Sequence, residues 1–296
     1  MKGTVLRGSL IALAFAALGG CLLLAGQGIR TSGGAAVKTA EIPDGRAALY
    51  CPAEAAEAVS AADEDGHTYA ARPGGALILS DVLDGSDALA TELARRDVTV
   101  LLAGRGTDPV LAWDWLLDSQ GGGVSRAILI SSSRRAGEAV ALASERTGTD
   151  TACSGLILLS DREDVRAAAG YEGWNLLLLS DANLSPEEKT AFFGSATDAE
   201  QGFSGYFGDG SARALESGAL LCSFAGRNAM LRVIDWQGSC LGHFRELADD
   251  DLIYRSILFC RAAAGCCFLL AAGQCVLTVR ACVRRRREES QKERSV

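Results

Sequence analysis

The sequence is poor in histidine, methionine and proline, and it lacks the spacings that mark common metal and nucleotide sites. Its 296 residues include two histidines, His67 and His243, and ten cysteines with no Cys-x-x-Cys pair, so a structural zinc site is not expected. Its glycine-rich stretches lack the Gly-x-Gly-x-x-Gly spacing, and no Walker lysine follows them, which leaves nucleotide binding without support. We therefore expect no metal ion and no cofactor.

Positive charge is scarce in the middle of the chain because basic residues gather at its two ends. The formal net charge is -8, although Lys2 and Arg7 stand near the start and seven basic side chains lie from Arg280 onward. The long central part is therefore acidic. Since an acidic surface repels phosphate backbones, we expect no nucleic-acid partner.

Two long apolar runs lie near the ends of the chain, at residues 8–28 and 262–279. Each is about the 20 residues that a membrane-spanning helix needs. The first run could instead be a cleaved signal peptide, or a lipid anchor at Cys21, which follows Leu-Gly-Gly. Hydrophobicity that continues beyond Cys21 favours a helix. The second run could be a buried core helix, but four consecutive arginines follow it closely, which favours a membrane span.

The cationic flanks of the two runs predict their orientation. Lys2 and Arg7 precede the first run, and the arginines at residues 284–287 follow the second. Such residues stay preferentially on the cytoplasmic side of a membrane. We therefore expect a two-span protein of a bacterial cell membrane, with both termini in the cytoplasm and the main domain extracytoplasmic. The bilayer is then one partner, and the basic tail is expected to touch anionic lipid.

The predicted segments follow from these two runs and from composition. They are an N-terminal transmembrane helix with a short cytoplasmic lead (1–30), a linker rich in Gly, Ala and Ser (31–47), an extracytoplasmic domain (48–255), a second transmembrane helix (256–280) and a basic cytoplasmic tail (281–296). The domain holds four cysteines, whose pairing the sequence leaves open; they are Cys51, Cys153, Cys222 and Cys240. Small buried hydrophobes are the favoured interpretation of most of them.

Short aliphatic runs alternate with helical stretches through the domain. Strands are predicted at residues 76–79, 98–103, 127–130, 155–159 and 175–179, and helices at residues 88–95, 109–118 and 137–145. Apolar runs of this length separated by helices suit a parallel sheet that is buried on both faces. We expect the α/β class, with a mostly parallel, doubly wound sheet between the two membrane helices.

Polar residues follow the predicted strands where a site would form. Ser133 lies in a Ser-Ser-Ser-Arg-Arg stretch between the strand at 127–130 and an alanine-rich helix, which is the layout of a nucleophile elbow. Asp181 and Asn183 follow the strand at 175–179, and residues 230–234 lead toward His243. Serine, acid and histidine in this order match the triad of an α/β hydrolase.

Three segments resemble α/β hydrolases, in particular membrane-anchored bacterial relatives of that fold, over roughly residues 46–260. Residues 93–108 (LARRDVTVLLAGRGTD) are similar to the third-to-fourth strand region of the family, and residues 113–130 (WDWLLDSQGGGVSRAILI) to the helix and strand before the elbow. Residues 208–213 (GDGSAR) resemble an Asp-Gly-Thr-Ala-Arg segment of those relatives. The resemblance implies an α/β-hydrolase fold and a serine-dependent triad.

The resemblance also assigns roles to individual residues. It implies Ser133 as the nucleophile, Asp181 or Asn183 as the acid, and His243 as the base that takes the serine proton. Ser80 and Asp81 stand where the family usually offers His-Gly for the oxyanion hole. Arg134 and Arg135, at the mouth of the expected pocket, could bind a carboxylate or phosphate.

Several of these positions depart from the hydrolase pattern. The elbow requires glycine two residues before and after the serine, where this chain has Ser131 and Arg135. An anionic Asp81 would oppose the charge that an oxyanion hole stabilises, and Asn183 cannot hold an imidazolium by charge. We therefore expect a degenerate fold that binds a small ester or amide ligand or a membrane-protein partner. An active serine hydrolase, of esterase or amidase/peptidase type, is the alternative, and an unrelated α/β domain stays open.

Overall fold

The computed structural model of the chain describes residues 2–28, 35–52, 74–80, 83–147, 153–160, 171, 173–188, 202–217, 223–241 and 247–294. The chain forms two compact units. The first, which we call the helix pair, consists of Met1–Arg30 together with Leu252–Val296, and the second, which we call the domain, is Thr31–Asp251.

An eight-stranded sheet forms the centre of the domain. Its strands are β1 (Ala35–Ile42), β2 (Gly45–Pro52), β3 (Gly74–Leu79), β4 (Val98–Ala103), β5 (Arg126–Ser131), β6 (Cys153–Ser160), β7 (Leu176–Ser180) and β8 (Phe203–Phe207). They lie in the order β1-β2-β4-β3-β5-β6-β7-β8. Strand β2 is antiparallel to both of its neighbours, whereas all other pairs are parallel. The sheet is therefore mostly parallel, with an antiparallel hairpin at one edge.

Helices cover both faces of this sheet. Those of the domain are α2 (Leu83–Ala94), α3 (Pro109–Leu117), α4 (Ala136–Glu145), α5 (Ser211–Glu216) and α6 (Phe224–Leu241), and a short 3-10 turn, Ser133–Arg135, precedes α4. Helices α3 and α4 pack on one face, and α2, α5 and α6 pack on the other. The predicted fold class is confirmed at the level of the architecture: the sheet is mostly parallel with helices on both faces, and the chain has two long apolar helices near its ends.

The central strands are buried on both faces because their side chains are almost all aliphatic. Every described residue of β3, β4 and β7 is buried. On one face, Leu77, Leu101 and Leu129 form the core with Trp113 of α3, and all four side chains are fully buried. This double burial explains why the strands are continuous apolar runs rather than alternating ones.

The strands predicted at residues 76–79, 98–103, 127–130, 155–159 and 175–179 are confirmed as β3 to β7, and the three predicted helices as α2 to α4. The linker predicted at residues 31–47 is wrong where β1 and the start of β2 lie. These strands form a hairpin about Pro43, Asp44 and Gly45, and Gly45 has a positive φ of 149°. A Pro-Asp-Gly sequence is a turn signal with a physical basis.

Residues 230–234, which were expected to lead toward His243, lie within helix α6 and not in a strand. The eighth strand is instead Phe203–Phe207, which pairs with β7. His243 and Asp81 lie outside the described residues, as does Cys222.

The helix pair consists of α1 (Lys2–Gly28) and α7 (Leu247–Arg294). They run antiparallel, because successive glycines of α1 face earlier and earlier residues of α7. A Cβ added to Gly8, Gly19 or Gly26 would contact Thr278, Phe268 or Cys260, respectively. Both helices are long and apolar enough to cross a membrane, over Leu6–Gly26 and within Leu252–Glu288. They fit a two-span membrane protein whose N- and C-termini lie at the same end of the pair.

Removal of a core side chain tests the double burial of the sheet. Leu129→Ala should lower the free energy of unfolding by about 3 kcal/mol, because it leaves a cavity among fully buried neighbours. For a domain of this size the melting temperature should fall by roughly 10 °C. Leu111→Ala, at a partly exposed position of α3, is the control and should lower the free energy of unfolding by about 0.5 kcal/mol. Thermal unfolding of the full chain in detergent measures both, and equal shifts would contradict the assignment.

Candidate active site

Ser80, Ser133 and Asp181 follow strands that end at the same edge of the sheet, which we call the carboxyl edge. The Ser132 amide after β5 donates to the Leu79 carbonyl of β3 (3.0 Å). The Gly208 amide after β8 donates to the Ser180 carbonyl of β7 (2.8 Å). Loops at the carboxyl edge of a parallel sheet are where such folds place their ligands.

The serine turn after β5 does not have the strained geometry of a nucleophile elbow. The Arg135 amide donates to the Ser132 carbonyl (3.1 Å), which closes the 3-10 turn Ser133–Arg135. Among the described residues, the positive-φ positions other than glycine are Asp97 and Asn175, so the serine turn contains none. A nucleophile elbow is a sharp, strained turn. The turn thus joins strand and helix in the right order with ordinary backbone angles.

The side chain of Arg135 fills the space beside this turn. It is 4% exposed, and its guanidinium donates to the Gly104 carbonyl (2.9 Å), the Thr107 carbonyl (2.8 Å) and the Glu138 carboxylate (2.6 Å). Because those carbonyls belong to the loop between β4 and α3, Arg135 fastens that loop to the start of α4. Arg134, the other predicted binding arginine, is exposed.

Asp181 and Asn183, two further predicted site residues, contact the segment that follows β8. The Asp181 Oδ2 atom accepts from the Arg213 amide (3.0 Å), and its Oδ1 atom is buried without a hydrogen-bond partner. The Asn183 Oδ1 atom packs against Gly208, since a Cβ added to Gly208 would lie only 2.2 Å from this oxygen. Gly208 has a positive φ of 68°, so this close approach requires glycine.

Ser80, predicted near the oxyanion hole, is buried at the end of β3. It accepts a hydrogen bond from the Ser86 hydroxyl of α2 (2.7 Å). Asp81 lies outside the described residues, and Ser133 is described for its backbone alone. The assignments of Ser133, Asp181, Asn183 and Ser80 to a site stay predictions.

No histidine of the described residues lies at the carboxyl edge, since His67 and His243 both fall outside them. The last described residue before His243 is Leu241. Its side chain packs against Gly74, since a Cβ added to Gly74 would lie 2.8 Å from Leu241 Cδ1. Gly74 begins β3, so Leu241 lies at the amino end of the strand, opposite to the serine turn. The loop after β8 offers Gly208, Asp209 and Gly210 instead of a histidine.

Asp209 and Arg232 form a polar cluster that the residue-by-residue assignment did not include. The Asp209 carboxylate accepts from the Ser211 amide (3.1 Å) and pairs with Arg232. Burial would raise the pKa of Asp209, but hydrogen bonds from Ser211 and Arg232 outweigh it and hold the pKa below its usual value. Arg232 also lies 3.7 Å over the Tyr206 ring centroid, a cation–π contact. The Gly-Asp-Gly-Ser sequence was the one signal that singled out this loop.

A cavity of about 550 Å³ lies next to this cluster, between α6 and strands β7 and β8. Its wall is mixed in character, with aromatic, charged and amide side chains; among them are Asn175, Tyr206, Arg232, Asp235, Trp236 and Ser239. Its volume is in the range of small-ligand pockets. The cavity is on the α6 face of the sheet, away from the serine turn.

Cys153 and Cys240 of the domain are poorly suited to nucleophilic chemistry. Burial raises the pKa of Cys153 and of Cys240 to about 12, so little thiolate exists at neutral pH. Cys51, Cys153 and Cys240 are free thiols in the structure. In the part of the chain that the structure describes, no group of three potential ligands could hold a metal ion.

The chain is similar to several solved protein structures. No family model and no curated protein match the chain. A Pyrococcus furiosus esterase, PF2001, is 11% identical, with 70% of this chain and 91% of that chain covered and a TM-score of 0.45. AbyA5 is 12% identical (75% of each chain, TM-score 0.44), and EstE7, a homologue of HSL from a metagenome library, is 11% identical (81% and 98%, TM-score 0.39). At such values these likenesses carry no argument about activity.

Substitution of Arg135 tests whether its contacts hold the β4–α3 loop. Arg135→Ala should lower the free energy of unfolding by about 2 kcal/mol, since it removes a buried guanidinium and leaves two part-buried loop carbonyls without their donor. Arg135→Lys should recover little of this loss, because an ammonium cannot reproduce the planar fork. The exposed Arg134→Ala, with the same change in charge, should stay within about 0.5 kcal/mol of wild type. Equal losses in denaturant titrations of the two alanine variants would contradict this role.

The lowered pKa of Asp209 predicts a pH-dependent contribution to stability. A carboxyl whose folded-state pKa is depressed stabilises the fold above its unfolded pKa of about 4, and the effect is lost as pH falls through the folded value. Asp209→Asn should therefore lower the melting temperature at neutral pH and converge with wild type in acid. The pair is a third exposed, so the loss should be about 1 kcal/mol or less. The exposed Glu145→Gln serves as control, and a difference that persists in acid would exclude the pair as its cause.

Proposed function

We propose that this chain is a two-span membrane protein whose extracytoplasmic α/β-hydrolase-like domain has lost catalysis and serves as a binding or partner-interaction module. The observation that carries the proposal is the buried Arg135 guanidinium at the position where a nucleophile elbow requires glycine. Its hydrogen bonds to two loop carbonyls and to the Glu138 carboxylate make it a fixed part of the turn.

The backbone of the serine turn supports the loss of catalysis. A nucleophilic serine is normally held exposed on a strained turn, where its hydroxyl reaches both the base and the substrate. Here the turn is an unstrained 3-10 turn that leads directly into α4. Without that strain, the backbone at Ser133 lacks the geometry of a nucleophile elbow.

The acid position is compatible with either an active or a lost triad. An acid that orients a histidine needs a free carboxylate oxygen directed at the imidazole. The Oδ2 atom of Asp181 accepts from the Arg213 amide of α5 (3.0 Å), whereas Oδ1 is buried without a hydrogen-bond partner. His243 follows Asp181 in chain order, as in an α/β hydrolase, but lies outside the described residues.

The cavity beside α6 is the binding site that this proposal favours. Its lining includes the Arg232 cation over the Tyr206 ring, the exposed acid Asp235 and the amide of Asn175. A few placed polar groups among apolar ones are typical of sites that bind small molecules. A small polar ligand with an acidic group, or a partner's side chain of that chemistry, suits Arg232.

The helix pair supports the topology in this proposal. Because Gly8 of α1 packs at the level of Thr278 of α7, the cations Lys2 and Arg7 lie at the same end as the arginines from Arg280 onward. By the positive-inside rule that end faces the cytoplasm. The domain, which joins the other ends of the helices, would then be extracytoplasmic.

An active serine hydrolase of esterase or amidase/peptidase type is the second candidate. The observation in its favour is order: a serine turn follows β5 and Asp181 follows β7, as in an α/β hydrolase. In that case Ser133 would attack the carbonyl of an ester or amide while His243 takes the serine proton and passes it to the leaving alcohol or amine, and water would then hydrolyse the acyl-Ser133 intermediate.

Covalent labelling with a fluorophosphonate probe distinguishes the two candidates. The well-folded full chain in detergent should give no more labelling than its Ser133→Ala variant, because an unactivated serine does not attack the probe. His243→Ala is the matched control for the base. Labelling of wild type that disappears in both variants would establish an activated serine and overturn the proposal.

A further inference from the structure

A groove runs between α1 and α7 near the end of the helix pair where both termini lie. It has a volume of about 500 Å³ and is lined by Gly8 and Ser9 of α1 and, among others, by Val279, Cys282, Val283 and Arg286 of α7. Its lining on α7 extends from Cys275 to Arg286, a rise of about 16 Å along a helix. The groove is therefore long and narrow, and parallel to the helix axes.

The two ends of this groove differ in chemistry. Toward the middle of the helices it is walled by Cys275, Thr278 and Val279, which lie within the apolar run of α7. At its other end it reaches Arg286, one of four consecutive arginines. Gly8 lets the two helices approach closely at Thr278, and the small, exposed side chain of Ser9 borders the groove.

We propose that this groove binds one anionic phospholipid, with an acyl chain along its apolar part and the headgroup phosphate on Arg286. The inference rests on the membrane placement of the helix pair in the proposed function. A guanidinium matches a phosphate in geometry and charge, and basic pockets between membrane helices on the cytoplasmic side suit anionic headgroups. An apolar groove that ends in a cation is complementary to a lipid, which is apolar along its chains and anionic at one end.

Arg284 provides a matched control for Arg286. It lies in the same run of arginines but pairs with Glu288 at 3.1 Å and is 83% exposed, and it does not line the groove. Replacement of either arginine by glutamine removes one positive charge from the same surface. A difference between the two variants therefore reports on the groove and not on the overall charge of the tail.

The test uses the full chain reconstituted in bilayers of equal parts phosphatidylcholine and phosphatidylglycerol, then released into mild detergent for native mass spectrometry. Wild type and Arg284→Gln should retain one phosphatidylglycerol. Arg286→Gln should reduce its occupancy about fivefold, which is the effect of one cation near an anionic surface. Ser9→Phe, which fills the groove without a change in charge, should also lose the lipid, whereas Ser9→Ala should keep it.

Three results would overturn the proposal. Equal losses of phosphatidylglycerol in Arg284→Gln and Arg286→Gln would show that the overall charge of the tail attracts the lipid and that the groove does not bind it. Equal retention of phosphatidylcholine and phosphatidylglycerol would show that the arginine selects no headgroup. A lipid-free dimer would show that a second copy occupies the groove. None of these readouts involves Ser133 or the cavity beside α6, so failure here is distinguishable from failure of the proposed function.

Discussion

Burial of five parallel strands between two layers of helices is the constraint from which the other features of the domain follow. The backbone groups of a strand that is inaccessible on both faces must be paired along the sheet, and its side chains must be apolar. Strands β3 to β7 meet both conditions. Polar residues are then confined to the places where the strands end, and each of β3, β5, β6 and β7 leads into a serine at or just after its last residue.

The carboxyl edge therefore has the layout of a site, and its chemistry depends on what the loops do with their polar atoms. In this domain those atoms are used mainly for holding loops together. Arg135 binds the carbonyls of Gly104 and Thr107, Asp181 accepts from the Arg213 amide, and Ser86 donates to Ser80. A catalytic site needs such groups directed at a substrate. The same order of elements thus supports a stable scaffold whose open polar cavity lies elsewhere, beside α6.

The sequence was sufficient to predict the central strands because each is a continuous apolar run between turn residues. It was insufficient for the edges. Strand β1 exposes most of its side chains, with Ala40 and Ile42 as its buried residues, and β8 contains Ser204 and Gly205 in its middle. Neither has the pattern of a buried strand. Residues 230–234 are apolar apart from Arg232, and a segment of that length fits a helix as well as a strand.

The site was less accessible to prediction than the fold. The position of the serine turn after β5 follows from chain order alone, and so does that of Asp181 after β7. The partners of Arg135 do not, because the loop carbonyls lie 28 and 31 residues away in the chain. The cluster of Asp209, Arg232 and Tyr206 likewise joins β8, its following loop and α6. Contacts between distant segments decide what the polar residues do, and no local pattern encodes them.

The central claim is that the serine turn is a structural turn and not an elbow. Its most direct test is an experimental structure of the full chain that resolves residues 131–135 and His243. We expect negative φ angles at Ser132 and Ser133, the Arg135 guanidinium on the carbonyls of the β4–α3 loop, and more than about 6 Å between Ser133 Oγ and the nearest ring nitrogen of His243. A positive φ at the serine, with His243 within about 3.2 Å of its hydroxyl, would instead establish a catalytic elbow.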